Sequence, residues 1–292
     1  MYNQLTNLAS LGNTGRVGSS ENLGYWAKIL WVKPDWEIDT EANALLQATW
    51  DADINLKQVY PFPYFEQVEN QDEDDVKETL STGLDVFIRE GKIKEVGSTN
   101  LSIMTLQNLR TFNNAKGSII LISSNGYIMG YSPDGVKLKG FTLQNFHVGG
   151  IGKTDGTTQR RTPISWGVSD SSQVLDYGVA IKPSWNPLDL EGLLDVDLAL
   201  TASVSASLVQ FTVTRRCDSE GVDGLVITDF SFLKSAGTVQ DGGGLAFVEI
   251  GGGEYKFTAT ASLVDGTLDL KRPDLQTTGG YESSGAVTVN VP

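Results

Sequence analysis

The chain is poor in the residues that carry most protein chemistry: 292 residues include one cysteine and one histidine. Cys217 alone cannot close an intrachain disulfide and has no metal-ligand spacing around it, which excludes a disulfide-stapled scaffold and a zinc module. Arg215 and Arg216 beside it would lower its pKa, yet with no histidine near it in sequence an inert free thiol is the expectation. His147 is the only imidazole, and neither a Gly-x-Ser-x-Gly elbow nor a cluster of metal ligands accompanies it, so a structural histidine is expected there. No run approaches the ~18 apolar residues of a membrane-spanning helix. The opening MYNQLTNLASLGNTG has neither a basic region nor an apolar one, so no signal peptide is expected and synthesis in the cytoplasm is. Cationic charge is scarce as well: 22 Lys and Arg face 36 Asp and Glu, a formal net charge of −14. Binding to a phosphate backbone draws its energy from cationic side chains that release counterions, so a nucleic-acid reader is not expected.

What the chain does have is glycine, 32 residues of it, with 40% hydrophobic content and only 20% charged. That balance favours turn-rich β structure over helical bundles, because glycine weakens helix interiors and supplies the positive-φ positions of tight turns. The length suits two domains. A mainly β, α+β architecture is expected: a flexible arm over 1–24, a sandwich- or barrel-like β body with one or two helices over 25–183, a linker over 184–192, and a β-sandwich over 193–292. In the last part short apolar runs at 207–215, 224–232, 245–250, 254–261, 266–270 and 285–291 alternate with Gly, Asp and Ser turns, the layout of a sandwich.

Along the body, YWAKILWV at 25–32 reads as a strand ended by Pro34, and EANALLQATWDADIN at 41–55 as a helix with Thr40 available as its cap. Glu66, Glu69, Asp72, Glu73, Asp74, Asp75 and Glu78 crowd the next stretch, which reads as a solvated acidic loop; it lacks the Asp-x-Asp and glycine spacing of an EF-hand. Residues 83–98 read as two strands meeting at Glu90-Gly91, and NLSIMTLQNLRTFNNAKG as a helix stopped by Asn113, Asn114 and Gly117. An antiparallel meander is expected over 118–142, with Asn125-Gly126 turning on two positive-φ residues and Pro133-Asp134-Gly135 marking the next reversal. A polar hairpin loop carrying Lys153, Arg160 and Arg161 then leads into a strand at 162–168.

No catalytic, metal or cofactor-binding residue is assigned, and no cofactor is expected. Gly149-Gly150-Ile151-Gly152-Lys153-Thr154 ends like a phosphate loop, but the position that needs the first glycine is His147, and the following DGTTQRR is a turn. Thirty-six acidic residues make any carboxylate pair uninformative about glycoside hydrolysis. The tryptophans (Trp26, Trp31, Trp36, Trp50, Trp166, Trp185) would suit sugar stacking, but the first four lie in what reads as core or interface.

The order of elements over 25–183, with LRTFN, the Asn-Gly hairpin, SPDG and GFTLQNF, resembles structural proteins of tailed phages and prophages of Bacteroidetes hosts, and by architecture a major tail tube protein. The C-terminal part, with GVDGLVITDFSF, GEYKFTATASLVDGTLDL and GYESSGAVTVNV, resembles bacterial Ig-like domains. The resemblance implies a non-enzymatic virion protein that assembles with copies of itself into stacked hexameric rings around a DNA-conducting lumen. It would be built in the host cytoplasm, beside other tail or head proteins, passing DNA without specific binding. The Ig-like part would be displayed outward, in weak contact with host surface glycans, and nothing would insert into a membrane. The basic tip at Lys153, Arg160 and Arg161 would bridge to an acidic neighbour in the next ring or stay solvated. A head decoration or head-to-tail adaptor protein and a carbohydrate-binding surface protein are the alternatives.

Overall fold

A computed structural model describes residues 23–74, 76–79, 85–89, 91–152 and 160–292. The expected arm over 1–24 and the basic position Lys153 therefore lie almost wholly outside the described residues. The fold is mainly β with short helices, and it divides into two compact units, Met1–Glu191 and Gly192–Pro292. No helix among the described residues is long and apolar enough to cross a membrane.

The first unit opens with β1 (Trp26–Val32) and β2 (Glu37–Ile38), then α1 (Glu41–Ala44), α2 (Gln47–Asn55) and β3 (Val59–Pro61). There follow β4 (Gln67–Asn70), β5 (Val76–Thr79), β6 (Asp85–Arg89), β7 (Lys94–Thr99) and α3 (Ile103–Arg110). The remainder is β8 (Ser118–Ser123), β9 (Ile128–Tyr131), β10 (Leu138–Lys139), β11 (Phe141–Val148), β12 (Thr162–Val168), α4 (Ser172–Leu175) and β13 (Gly178–Ile181). One sheet runs β2-β10-β9-β8-β11-β12-β7-β4, with β1 joined to β8 and β3, and β13 to β9. Paired on both edges, β1 is buried along nearly its whole length, which is why its sequence is apolar on both faces. Ile29, Phe62, Ile119, Phe141, Phe146, Ile164 and Trp166 belong to the core.

Two expected helices are shorter than their patterns. The 41–55 pattern breaks at Leu45-Leu46, where Leu46 is extended. Two indoles take the carbonyls that a continuous helix would have used: Trp50 Nε1 donates to Ala44 O at 2.9 Å and Trp185 Nε1 to Leu45 O at 2.8 Å. The second helix covers only 103–110, capped by Ser102, because Asn113 leaves the helix to pair with the backbone of Val148. The β8–β9 hairpin forms where Asn125-Gly126 places it, but only Gly126 has positive φ (79°), so the turn uses one left-handed residue where two were expected.

The stretch expected as a linker, 184–192, is part of the first unit through Glu191. A 3-10 turn at Pro187–Asp189 leads to Leu190, which is 2% exposed. Lys28, itself buried, donates its ammonium to the carbonyls of Leu188 (3.0 Å) and Leu190. Burial lowers the Lys28 pKa, and Glu191 and Asp189 pull it back up.

The second unit begins with β14 (Leu194–Ser205) and β15 (Leu208–Arg215), then β16 (Phe230–Lys234), β17 (Leu245–Gly251) and β18 (Glu254–Ala259). It ends with β19 (Gly266–Leu270), β20 (Tyr281–Ser283) and β21 (Val287–Val289). Sheets β17-β18-β15-β14-β20 and β16-β19-β21 share one core built from Val196, Phe211, Tyr255 and Phe257 of the first and Phe230, Phe232, Leu268 and Val289 of the second, a two-sheet sandwich. Asp229, fully buried, accepts from the backbone N–H groups of Val226 (3.0 Å), Thr277 and Thr278 (3.1 Å) and from the Thr278 hydroxyl (2.6 Å). Burial pushes its carboxyl up, but these donors outweigh it and leave the pKa below the ordinary aspartate value.

Candidate functional site

The acidic segment read as a loop forms half of a two-stranded ribbon. Strand β4 pairs antiparallel with β7 from Gln67↔Ser98 to Asn70↔Glu95. The same register continues through Gln71 N to Lys94 O (2.8 Å) and Glu73 N to Lys92 O (2.9 Å) into the β5–β6 pair, which starts at Val76↔Arg89 and ends at Thr79↔Asp85. The self-repulsion expected of so many carboxylates is relieved by partners distant in sequence. Glu73 pairs with Lys94, and Glu66 with Arg161 at 3.0 Å. Both oxygens of Asp72 are occupied: Oδ1 accepts from the backbone N–H of Lys94 and Oδ2 from the side-chain amide of Asn70, both at 2.8 Å. The two strands expected to meet at Glu90-Gly91 are β6 and β7, and they pair with different neighbours, β5 and β4.

On its other edge β7 is backed by β12 from Thr162↔Thr99 to Gly167↔Lys94, and the last link is Val168 N to Ile93 O at 3.0 Å. Beyond that point the ribbon has two strands only, and among the described residues β5 and β6 pair with nothing but each other. The root is packed from beneath: Phe65 stacks on Trp166 with ring centroids 5.3 Å apart, and Gly97 leaves the room that the Phe65 ring fills. Glu95 stands opposite Trp166 at this root. Its Oε1 accepts from Trp26 Nε1 at 3.0 Å, while its Oε2 is shut off from solvent with no hydrogen-bond partner. Burial is the main cause that pushes this carboxyl up to about 7, with Asp72 adding to it and the indoles of Trp26 and Trp166 opposing it.

The residues weighed from sequence do not converge. His147 is exposed on β11, opposite Ser165, and Cys217 is exposed in the second unit. Gly149 and Gly152 extend the pairing of β11 with β12, donating to Pro163 O (2.8 Å) and Arg161 O (3.1 Å), while Lys153 and Thr154 of the run that ends like a phosphate loop lie outside the described residues. Arg161 is engaged within the chain by Glu66 and Gln67 and is not a free tip, whereas Arg160 is exposed. Trp31, Trp36, Trp50 and Trp166 are buried, leaving Trp26 and Trp185 half-buried, so the indoles form core and no platform. Among the described residues no three His, Cys, Asp or Glu side chains are grouped to hold a metal ion. An open cavity of about 480 Å³ is lined by Asp35, Trp36, Lys116, Ser118, Tyr131 and Lys139, among others.

Sequence reasoning missed Glu95. Its signal in the sequence was slight: in KEVGST the glutamate follows Lys94 and precedes Val96, a pattern that an exposed strand position shares. No protein-family model matches the chain, and no curated protein matches it.

Proposed function

We propose that this chain is a structural subunit of a phage particle, a tail tube protein that assembles with copies of itself into stacked rings through which DNA passes. The observation that carries this reading is the ribbon: β5 and β6 leave the sheet as a two-stranded element with no third strand among the described residues. A lone two-stranded hairpin is marginal in water, and its unpaired backbone edges favour a further strand or surface from another molecule. The formal charge of −14 supports the role, since an acidic wall lets DNA slide without binding. In this reading the second unit is an appendage for weak contact with host surface glycans, dispensable for ring building.

Negative-stain microscopy of the purified chain at rising concentration tests this. Rings or tubes of constant diameter are expected, and a persistent monomer at high concentration would refute the proposal.

A further inference from the structure

We propose that Glu95 is a proton-controlled hinge at the root of the ribbon: neutral, it lets β4 and β7 close against β1 and β12, and ionised, it opens the rung it shares with Asn70. This device belongs to the fold of the first unit and does not depend on what the chain assembles into.

The position of the carboxyl makes the argument. Asn70↔Glu95 is the last pair of β4 with β7 before the ladder runs on through Gln71 and Glu73, and Glu95 lies two residues from Ile93, where the backing by β12 ends. On the far side β4 is an edge strand among the described residues. The rung is thus held on one flank and free on the other, the place where a ribbon bends most easily. The groups around Glu95 offer a negative charge indole N–H dipoles but no cation. Strand β1 presents Trp26, β4 presents Asn70 and β12 presents Trp166, none of them cationic. Lys94, next in sequence, is directed to Glu73. The charged group that acts on Glu95 is Asp72, also an acid, whose repulsion grows when Glu95 ionises. One oxygen accepts from the Trp26 indole, and the other is buried without a hydrogen bond, the Trp166 indole opposite being the other group that favours the ionised form. An ionised carboxylate in that setting lowers its energy by reaching water, which parting β4 from β7 at this rung would supply. The raised titration point places the change close to neutrality.

Hydrogen–deuterium exchange of the full chain, corrected for intrinsic rates, tests the hinge between about pH 5.5 and about pH 8.5, limits set to bracket the titration. Amides of 67–74 and 92–99 are expected to lose protection by about tenfold or more on going to the higher pH, one decade for each pH unit of coupled ionisation. Glu95→Gln, a neutral isostere that still accepts from Trp26, is expected to abolish the loss. Unchanged wild-type protection, or an equal loss in Glu95→Gln, would overturn the proposal. Should Glu95→Gln not fold, Trp26→Phe decides: it removes a donor that favours the ionised form, so the midpoint must move to higher pH, and an unmoved midpoint overturns the hinge.

Discussion

Trp26 Nε1 donates to Glu95 Oε1 at 3.0 Å, tying the first strand of the fold to the seventh. Burial of this carboxyl, which the indole only partly offsets, makes global stability dependent on pH in an unusual direction. Glutamate ordinarily titrates at 4.5, and Glu95 in the folded chain at about 7. Between those values the native state binds the extra proton, so its contribution is full below 4.5, falls as pH rises, and is lost above about 7. The change is at most about 3 kcal/mol. Urea midpoints of the first unit should drop across this window, and Glu95→Gln should remove the drop.

In the second unit the slope is reversed. Asp229 titrates below its ordinary value of 3.8 because four donors hold its carboxylate. Its stabilisation is complete above that value and disappears as pH falls through the lower, folded one. Asp229→Ala leaves buried N–H groups of Val226, Thr277 and Thr278 without an acceptor and should cost about 2–4 kcal/mol. Calorimetry should show the second transition move down while the first stays in place.

Gly97→Ala should destabilise the first unit by about 1–3 kcal/mol. An added Cβ would lie 2.6 Å from Phe65 Cδ1, and the ring cannot retreat because it is stacked on Trp166. Thermal unfolding of the variant, compared with wild type, gives the measurement.

Truncation should be sensitive to a few residues. A chain ending at Glu191 keeps the carbonyls of Leu188 and Leu190 that receive the buried Lys28 ammonium, and should fold and assemble as the full chain does. Ending at Pro187 removes both acceptors and should cost about 3 kcal/mol or more, because an unpaired charge is left buried. Soluble yield and unfolding midpoints of the two truncations separate these cases.

Replacing residues 76–89 by an Asn-Gly turn should leave the first unit folded, since β5 and β6 pair only with each other among the described residues. Ring or tube formation should fail, and sedimentation velocity would report a monomer.

Where structure follows from local pattern, the sequence was a good guide: short apolar runs between turns located β15, β18 and β19, and the strand at 162–168 has the bounds expected of it. The same alternation in LDVDLAL marks β14, but aspartates at alternate positions and a neighbouring stretch read as a linker hid it. Other features rest on partners far along the chain. The helix break at Leu45-Leu46 depends on an indole 140 residues away, and the ribbon depends on Lys94 and Arg161 neutralising acids that, taken alone, read as a loop. Glu95 was illegible for the same reason: its chemistry comes from Trp26, 69 residues before it, and from the closure of β7 between β4 and β12.

The six tryptophans all lie in the first unit, and the second has only Tyr255 and Tyr281 as phenolic rings. Light absorbed near the red edge of the protein band therefore excites one unit and leaves the other dark. Indole emission follows the unfolding of the β body alone, and a tyrosine-only signal from the isolated sandwich would stay clear of it. The chain thus carries its own two-colour label, and the opposite pH dependences of Glu95 and Asp229 can be followed without attaching a probe.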